Sequence, residues 1–343
     1  MSGDLLRYYF FVTAVLIEMI ELFHQVVNEV SNTFFDPTKR IFIGYLLSAL
    51  LVALLWMSIN QSRTFINSLS LIFSRKVWFS SSAKTDYALL VTNRLIMLLI
   101  APLLLGQLVV ATFLFEWFHH FSAPQPFEDW PSGLVMSLFT LTLFFMDDAS
   151  RYWVHRLMHQ STVLWQFHQV HHSATNLTPL TIFRTHPVEG VLFSLRSAFV
   201  QGFCIGSFIF LFGSSVDLLT VFGVNVLLFM FNTLGANLRH SPISLPYPKA
   251  VERWLISPAQ HQLHHSTNPQ HFNKNYGVFL AVWDRWGGTL HYSVKTALDY
   301  GIEQHGEKID QPLWQVYAYP FKVNYHKATS FLKQARKRVK FSL

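Results

Sequence analysis

The chain has 343 residues, 51% hydrophobic and 13% charged, with 33 phenylalanines and a formal net charge of +7. Soluble domains are about a quarter charged, so this composition excludes an ordinary soluble protein and points to a lipid-embedded one. The one cysteine, Cys204, lies in an apolar run, which excludes an internal disulfide framework and any thiolate-based zinc or iron–sulfur site. The excess of positive charge comes without a basic domain or reading motif. It fits cytoplasmic loops beside anionic lipid and excludes nucleic acid as a partner.

The opening run MSGDLLRYYFFVTAVLIEMIELFHQ lacks a small-residue cleavage site and continues into Glu18, Glu21 and His24, so it does not read as a cleaved signal. Neither end carries a lipidation box. Residues 8–30 either span or lie in the interface: their first half is apolar, and their second carries two glutamates on a helical period. A span takes about 20 apolar residues. Spans are predicted at 41–59, 95–115, 132–146, 191–212 and 215–234, the fourth usable only from Ser197 because of Arg196. The fold class is therefore an all-α integral membrane protein with about 4–6 membrane-embedded helices. Residues 235–343 are polar and mixed. Their last stretch, FLKQARKRVKF, is a basic amphipathic helix, either solvated or docked on anionic headgroups.

Lysine and arginine set the orientation. Loop 60–94 carries Arg63, Arg75, Lys76, Lys84 and Arg94 and is placed in the cytoplasm. Loop 116–131 has Glu116, Glu128 and Asp129 but no Lys or Arg and is placed outside. The 132–146 span then returns to the cytoplasm, and 191–212 with 215–234 forms a hairpin that does the same. Every histidine cluster after residue 147 falls on the cytoplasmic side, in a helical cap.

Those clusters carry the chemistry. HRLMH holds His155 and His159; HQVHH holds His168, His171 and His172; HQLHH holds His261, His264 and His265. Residues three and four apart share a helix face. Two imidazoles four apart can share one metal ion, and a third at i+3 can reach a neighbouring one. At about 5% histidine, one chance H-x-x-H-H has a probability of roughly a few per cent, so two beside an H-x-x-x-H are not accidental. Eight imidazoles are too many for one zinc, which takes four ligands; they suit two metal ions. The site is nitrogen-rich, and imidazole alone does not select among Zn, Cu, Fe and Ni. The Glu-x-x-His pattern of soluble di-iron bundles is absent.

The segments DASRYWVHRLMH, FHQVHHS, ISPAQHQLHHS and NKNYGVFLAVWDRWGGTL, in this order after membrane spans, resemble the fatty acid hydroxylase / sterol desaturase superfamily of membrane di-iron enzymes. The resemblance runs from about Asp147 to Leu290. It implies 1–131 as N-terminal membrane helices of no assigned role, 132–292 as a catalytic domain, and 293–343 as a basic cytoplasmic tail. It implies that the eight histidines are iron ligands, with His240 in NLRHS as a ninth. Asn237 is then placed to hold a water at an open metal position, and Asp148 to orient a ligating imidazole. His186 and His271 fall in family-like stretches and are expected behind the ligands. His119 and His120 lie on the outer side; His24, His291, His305 and His326 have ordinary surroundings.

The implied activity is hydroxylation of a C–H bond of a lipid, fatty acyl, sterol or related, by two irons with O₂ as co-substrate. No nucleotide motif, cysteine set or haem domain supplies electrons. A separate donor of ferredoxin or cytochrome b5 type with its reductase is implied. The alternatives are a desaturase using the same site, a zinc-dependent membrane hydrolase, and a metal transporter. The last would place its ligands within the spans.

Overall fold

Inside a bilayer an apolar backbone has only itself to hydrogen-bond with, and long apolar segments therefore become helices. The computed structural model describes residues 3–122, 124–213, 216–304, 307–308 and 312–341. The helices are α1 (Gly3–Phe35), α2 (Ile43–Gln61), α3 (Phe65–Ile72), α4 (Arg75–Trp78), α5 (Ser81–Ile100), α6 (Gln107–His119), α7 (Ser132–Gln160), α8 (Trp165–His172), α9 (Pro187–Phe212), α10 (Val226–Thr233), α11 (Lys249–Glu252), α12 (Pro258–His264), α13 (Val282–Trp286) and α14 (Leu313–Phe341). Two small antiparallel pairs, β1 (Thr220–Val221) with β2 (Val224–Asn225) and β3 (Glu303–Gln304) with β4 (Glu307–Lys308), are the only sheet among the described residues. Among the described residues, five helical stretches are long and apolar enough to cross a membrane: Phe10–Phe35, Ile43–Gln61, Ser81–His119, Ser132–Gln160 and Pro187–Phe212. The protein is thus an all-helical integral membrane protein.

The segment at 8–30 is part of one continuous helix, α1, that qualifies as a span. The expected span at 95–115 is broken. Pro102 sits in a 3-10 turn, Ala101–Leu103, between α5 and α6, because proline cannot donate to the preceding turn. The short span at 132–146 is only the first half of α7. At 29 residues this helix is about 44 Å long, so its last turns extend beyond a hydrocarbon core of about 30 Å. Those turns carry His155 and His159.

The expected span at 215–234 is not a helix across the membrane. Phe222 and Gly223 both take positive φ, 50° and 74°, which makes the tight turn joining β1 to β2. Only eight residues, α10, are helical there, about 12 Å of length. The returning backbone is held by α7: Leu219 N donates to Thr140 Oγ1 at 2.9 Å, and Asn225 Nδ2 to the Thr140 carbonyl at 3.1 Å. Irregular backbone at this depth persists because it is packed on protein.

α6 and α9 approach closely over Gly202 and Gly206, where an added Cβ would stand 2.6 Å from the carbonyls of Gln107 and Ala111 respectively. Small residues four apart let membrane helices meet at backbone distance. Arg196 on α9 pairs with Asp147 on α7 at 2.8 Å, and Arg151 with the same carboxylate at 2.7 Å. The first half of α14 is not a free tail. Val316 packs with Leu89 of α5 and Val170 of α8, and Tyr317 Oη donates to Asn93 at 2.9 Å.

The two ends of the bundle are distinct. Loop 116–131 closes on the C-terminus of α9, with Gln125 N on the Phe210 carbonyl and Phe127 N on that of Leu211. The start of α5 lies at the opposite end, with the histidines: Asp86 pairs with Arg184 at 2.6 Å, both buried.

Candidate metal centre

The three histidine boxes occupy three helix ends: the C-terminal turns of α7, all of α8, and α12 with His265 as its C-cap. The nine histidines named above, His240 included, form two groups. His155, His159, His168, His172 and His264 make one; His171, His240, His261 and His265 make the other. Within each group the nitrogens lie within 4.8 Å of one another. Eight of the nine residues are buried, and His159 is partly exposed.

Helix geometry explains the sorting. Residues four apart face the same way and adjacent residues lie about 100° apart. The i,i+4 pairs 155/159, 168/172 and 261/265 each stay together. His171 and His264, at i+3 in their boxes, turn to the other group. The two groups share a wall: the rings of His172 and His265 stack with centroids 4.6 Å apart.

Hydrogen bonds fix which nitrogen faces inward. His155 Nδ1 donates to the Tyr276 carbonyl at 2.8 Å, His264 Nδ1 to that of Lys274 at 2.7 Å, and His171 Nδ1 to that of Arg184 at 3.3 Å. A carbonyl only accepts, so each of these rings carries its proton on Nδ1 and presents a bare Nε2. His168 Nδ1 meets Glu189 Oε1 at 3.1 Å. The Nε2 atoms of His155 and His168 stand 3.1 Å apart; His155 presents a lone pair there, and His168 presents another when an ionised Glu189 accepts from its Nδ1. Two lone pairs converge there, which is repulsive unless a cation lies between them. In the second group the three Nε2 atoms of His240, His261 and His265 form a triangle with sides of 2.9, 3.2 and 3.2 Å. Two nitrogens bound to one ion at about 2.1 Å and a right angle stand about 3.0 Å apart. His159, His172 and His264 add buried Nε2 atoms with no hydrogen-bond partner. Buried polar atoms are rarely left so, and both groups have the donors to hold a metal ion. Burial pushes His168 down to about 3 and His171 to about 4, so both stay in the neutral, ligating form.

A strap, residues 274–290, carries the Lys274 and Tyr276 carbonyls and is held in place by two carboxylates. Asp284 accepts from Tyr276 N at 2.8 Å, Gly277 N at 2.7 Å and Thr289 Oγ1 at 2.6 Å. Gly277 is required there, because a Cβ would meet Asp284 Oδ2 and the Leu280 carbonyl, each at 2.7 Å. Asp148 closes the other end, accepting from Phe279 N at 3.0 Å, Leu280 N at 3.0 Å and Trp283 Nε1 at 2.9 Å. Asp148 therefore orients no imidazole, contrary to the sequence-based expectation; it ties the strap to α7. Asn237 is likewise engaged elsewhere, donating to the Arg40 carbonyl at 3.0 Å.

His186 caps α9 through Nδ1, accepts no part in either group, and meets the Tyr317 carbonyl at 3.2 Å. His271 faces His291, ring centroids 5.5 Å apart. His119 ends α6 at the opposite end of the bundle, bonded to the Phe115 carbonyl. His305 lies outside the described residues.

Glu189, Asp284 and the Asp86–Arg184 pair escape sequence reasoning. Glu189 and the Asp86–Arg184 pair act across 21 and 98 residues of chain, and Asp284 acts largely on backbone N–H groups, neither of which leaves a spacing signal. A cavity of about 540 Å³ opens onto both groups, lined by His159, His172 and His264 on one side and His265 on the other, with Trp165 and Phe272.

These features define a membrane-embedded protein with two adjoining all-imidazole groups, at one end of its helical bundle, that have the donors to hold metal ions. Residues 140–289 match the family described as fatty acid hydroxylase. It is 28% identical over 182 residues to alkylglycerol monooxygenase of Xenopus tropicalis, covering 53% of this chain and 35% of that protein. It is 28% identical over 184 residues to lathosterol oxidase of Homo sapiens, covering 53% and 55%. It is 32% identical over 163 residues to a Delta(7)-sterol 5(6)-desaturase of Gibberella zeae, covering 47% and 40%. The matched region thus spans between about a third and about half of these relatives' lengths. No solved structure matches the chain.

Proposed function

We propose that the protein is a membrane di-iron oxygenase that hydroxylates a C–H bond of a lipid, fatty acyl, sterol or related, using O₂ and two electrons from a separate donor. The observation that carries this reading is the convergence of nine imidazoles into two groups, with Nε2 atoms 2.9 and 3.1 Å apart, about the separation of two nitrogens on one ion. Five nitrogens in one group exceed the four that zinc takes in structural sites, which weighs against the hydrolase. Iron held by these residues supplies the redox chemistry that aliphatic C–H cleavage needs.

The chain's own residues do the rest. The carbonyls of Tyr276, Lys274 and Arg184, with Glu189, hold the ligating rings in one tautomer. The cavity beside His159, His172, His264 and His265 receives the substrate carbon. Membrane-length helices and the lipid-related names of the relatives support a substrate that stays in the bilayer. A desaturase among those relatives supports the alternative, removal of two hydrogens at the same site. The donor is taken to be of ferredoxin or cytochrome b5 type, since the sequence has one cysteine and no nucleotide motif.

We place the site on the cytoplasmic side because the segment between α2 and α5, with Arg63, Arg75 and Lys76, leads into the same end of the bundle. In this reading 132–292 is the catalytic domain, 1–131 the membrane helices before it, and 293–343 a basic cytoplasmic segment anchored by α14.

The test is lipid mass spectrometry of host membranes bearing wild-type protein, His264→Ala or His240→Ala, with donor supplied and bound metal counted. A lipid that gains one oxygen only with wild type supports hydroxylation; loss of two hydrogens supports desaturation. Bound zinc with no oxidised lipid would refute both.

A further inference from the structure

A second cavity, of about 270 Å³, lies apart from the one that opens on the histidines. Its lining is almost wholly apolar and comes largely from outside the fatty acid hydroxylase domain. Ile43 and Leu47 of α2 and Phe73, just past α3, are exposed among apolar surface and form its mouth. Ala49 and Ala53 of α2 are buried with Leu238 and Ile243 and form its floor. The room is made by α2's buried face, Tyr45, Ala49, Ala53 and Met57, whose two middle members stop at Cβ. The far wall is the 3-10 turn Ala236–Arg239, which leads directly into His240. An apolar cavity with no polar partners does not hold water. One that opens beside a membrane-spanning helix has hydrocarbon as its available filling.

We propose that this cavity binds a single hydrocarbon chain of a lipid, and that α2 sets the length it takes. Benzene, with six carbons, fills an apolar cavity of about 150 Å³, so 270 Å³ takes on the order of ten carbons. The chain is either the tail of the substrate or that of a resident membrane lipid; both present the same chemistry. Each Ala→Leu change adds three carbons, about 75 Å³ on the same scale. The double change therefore removes more than half the space. Only the source of the chain rests on the oxygenase reading.

The experiment uses the full chain in nanodiscs, free of metal, with palmitate carrying a terminal diazirine as photolabel. Labelling is mapped by peptide mass spectrometry. The expected result is label concentrated in 43–53 and 237–243, lost in Ala49→Leu/Ala53→Leu, with the variant melting no lower than wild type. Competition on wild type by unlabelled palmitate but not by butyrate supports the same conclusion if the double variant melts early. Label spread evenly over the lipid-facing helices, or unchanged in a stable double variant, overturns it. With iron and donor present, a shift of product profile by about three carbons towards shorter chains in Ala53→Leu assigns the tail to the substrate. An unchanged profile assigns it to a resident lipid. Because labelling needs no metal, its failure is separate from a failure of the oxygenase reading.

Discussion

Glu189 is a residue whose role can be measured. It is 5% exposed on α9, and its Oε1 is 3.1 Å from His168 Nδ1. A hydrogen bond to an ionised acceptor contributes about 1.5–3 kcal/mol and a neutral one about 0.5–1.5. Where the carboxyl is ionised, as a cation held by the histidines would favour, Glu189→Gln keeps an acceptor oxygen but removes the charge, a loss of about 1–1.5 kcal/mol, or roughly 5- to 12-fold in metal affinity. Glu189→Ala removes both and leaves His168 free to change tautomer, for an expected 10- to 100-fold loss. The larger effect falls on the group of five histidines, since the carboxylate's ring partner is His168; its charge also acts on His171 of the group of four. The assay is metal retention against a graded chelator, read as ions per chain. The alanine variant should fall to one ion at chelator concentrations where wild type keeps two. Retention equal to wild type in both variants would refute the claim that this carboxylate fixes the ring.

Asp148→Ala leaves three donors, one buried and two part-buried, without their acceptor. It should cost about 1–3 kcal/mol of stability, seen as a lower melting temperature with loss of bound metal; a wild-type melting curve would sink the strap assignment. Gly206→Leu drives a side chain into the Ala111 carbonyl and should destabilise the α6–α9 contact by about 1–3 kcal/mol, while Gly133→Leu, which meets nothing within 4 Å, serves as the neutral comparison. Burial raises Asp284 to about 6, above its unfolded value, so the folded state holds this proton more tightly. Its contribution to stability is therefore present at pH 4 and lost as pH rises through 6, at no more than about 1.4 kcal/mol per unit. Metal-free Asp284→Asn should lack that slope in denaturant titrations at pH 4 to 6, and an identical slope in both proteins would refute it.

Much of the site was legible because helical spacing is a local property. His168 and His172, or His261 and His265, face one way whatever the rest of the chain does, and His171 and His264 face another. The spans at 41–59 and 191–212 were legible for the same reason: apolar length demands a helix in lipid. Apolar content does not distinguish a crossing helix from a packed return, and 215–234 was misread on that account. Its turn at Phe222–Gly223 is stabilised by contacts with Thr140, about 80 residues earlier in the chain. Pro102 was visible, yet its break in the 95–115 segment was not anticipated.

The sequence by itself determined a helical membrane protein, three imidazole-bearing helical segments, and the pairing of imidazoles at i and i+4. Those follow from side-chain chemistry and helical period alone. Only the tertiary structure decided that His240 joins His171, His261 and His265, that Glu189 rather than Asp148 meets a ring, and that Asp148 and Asp284 hold the strap whose carbonyls set the tautomers. These depend on where the backbone brings distant residues together, and a carboxylate's partner in a buried site is chosen by that proximity, which no local spacing encodes.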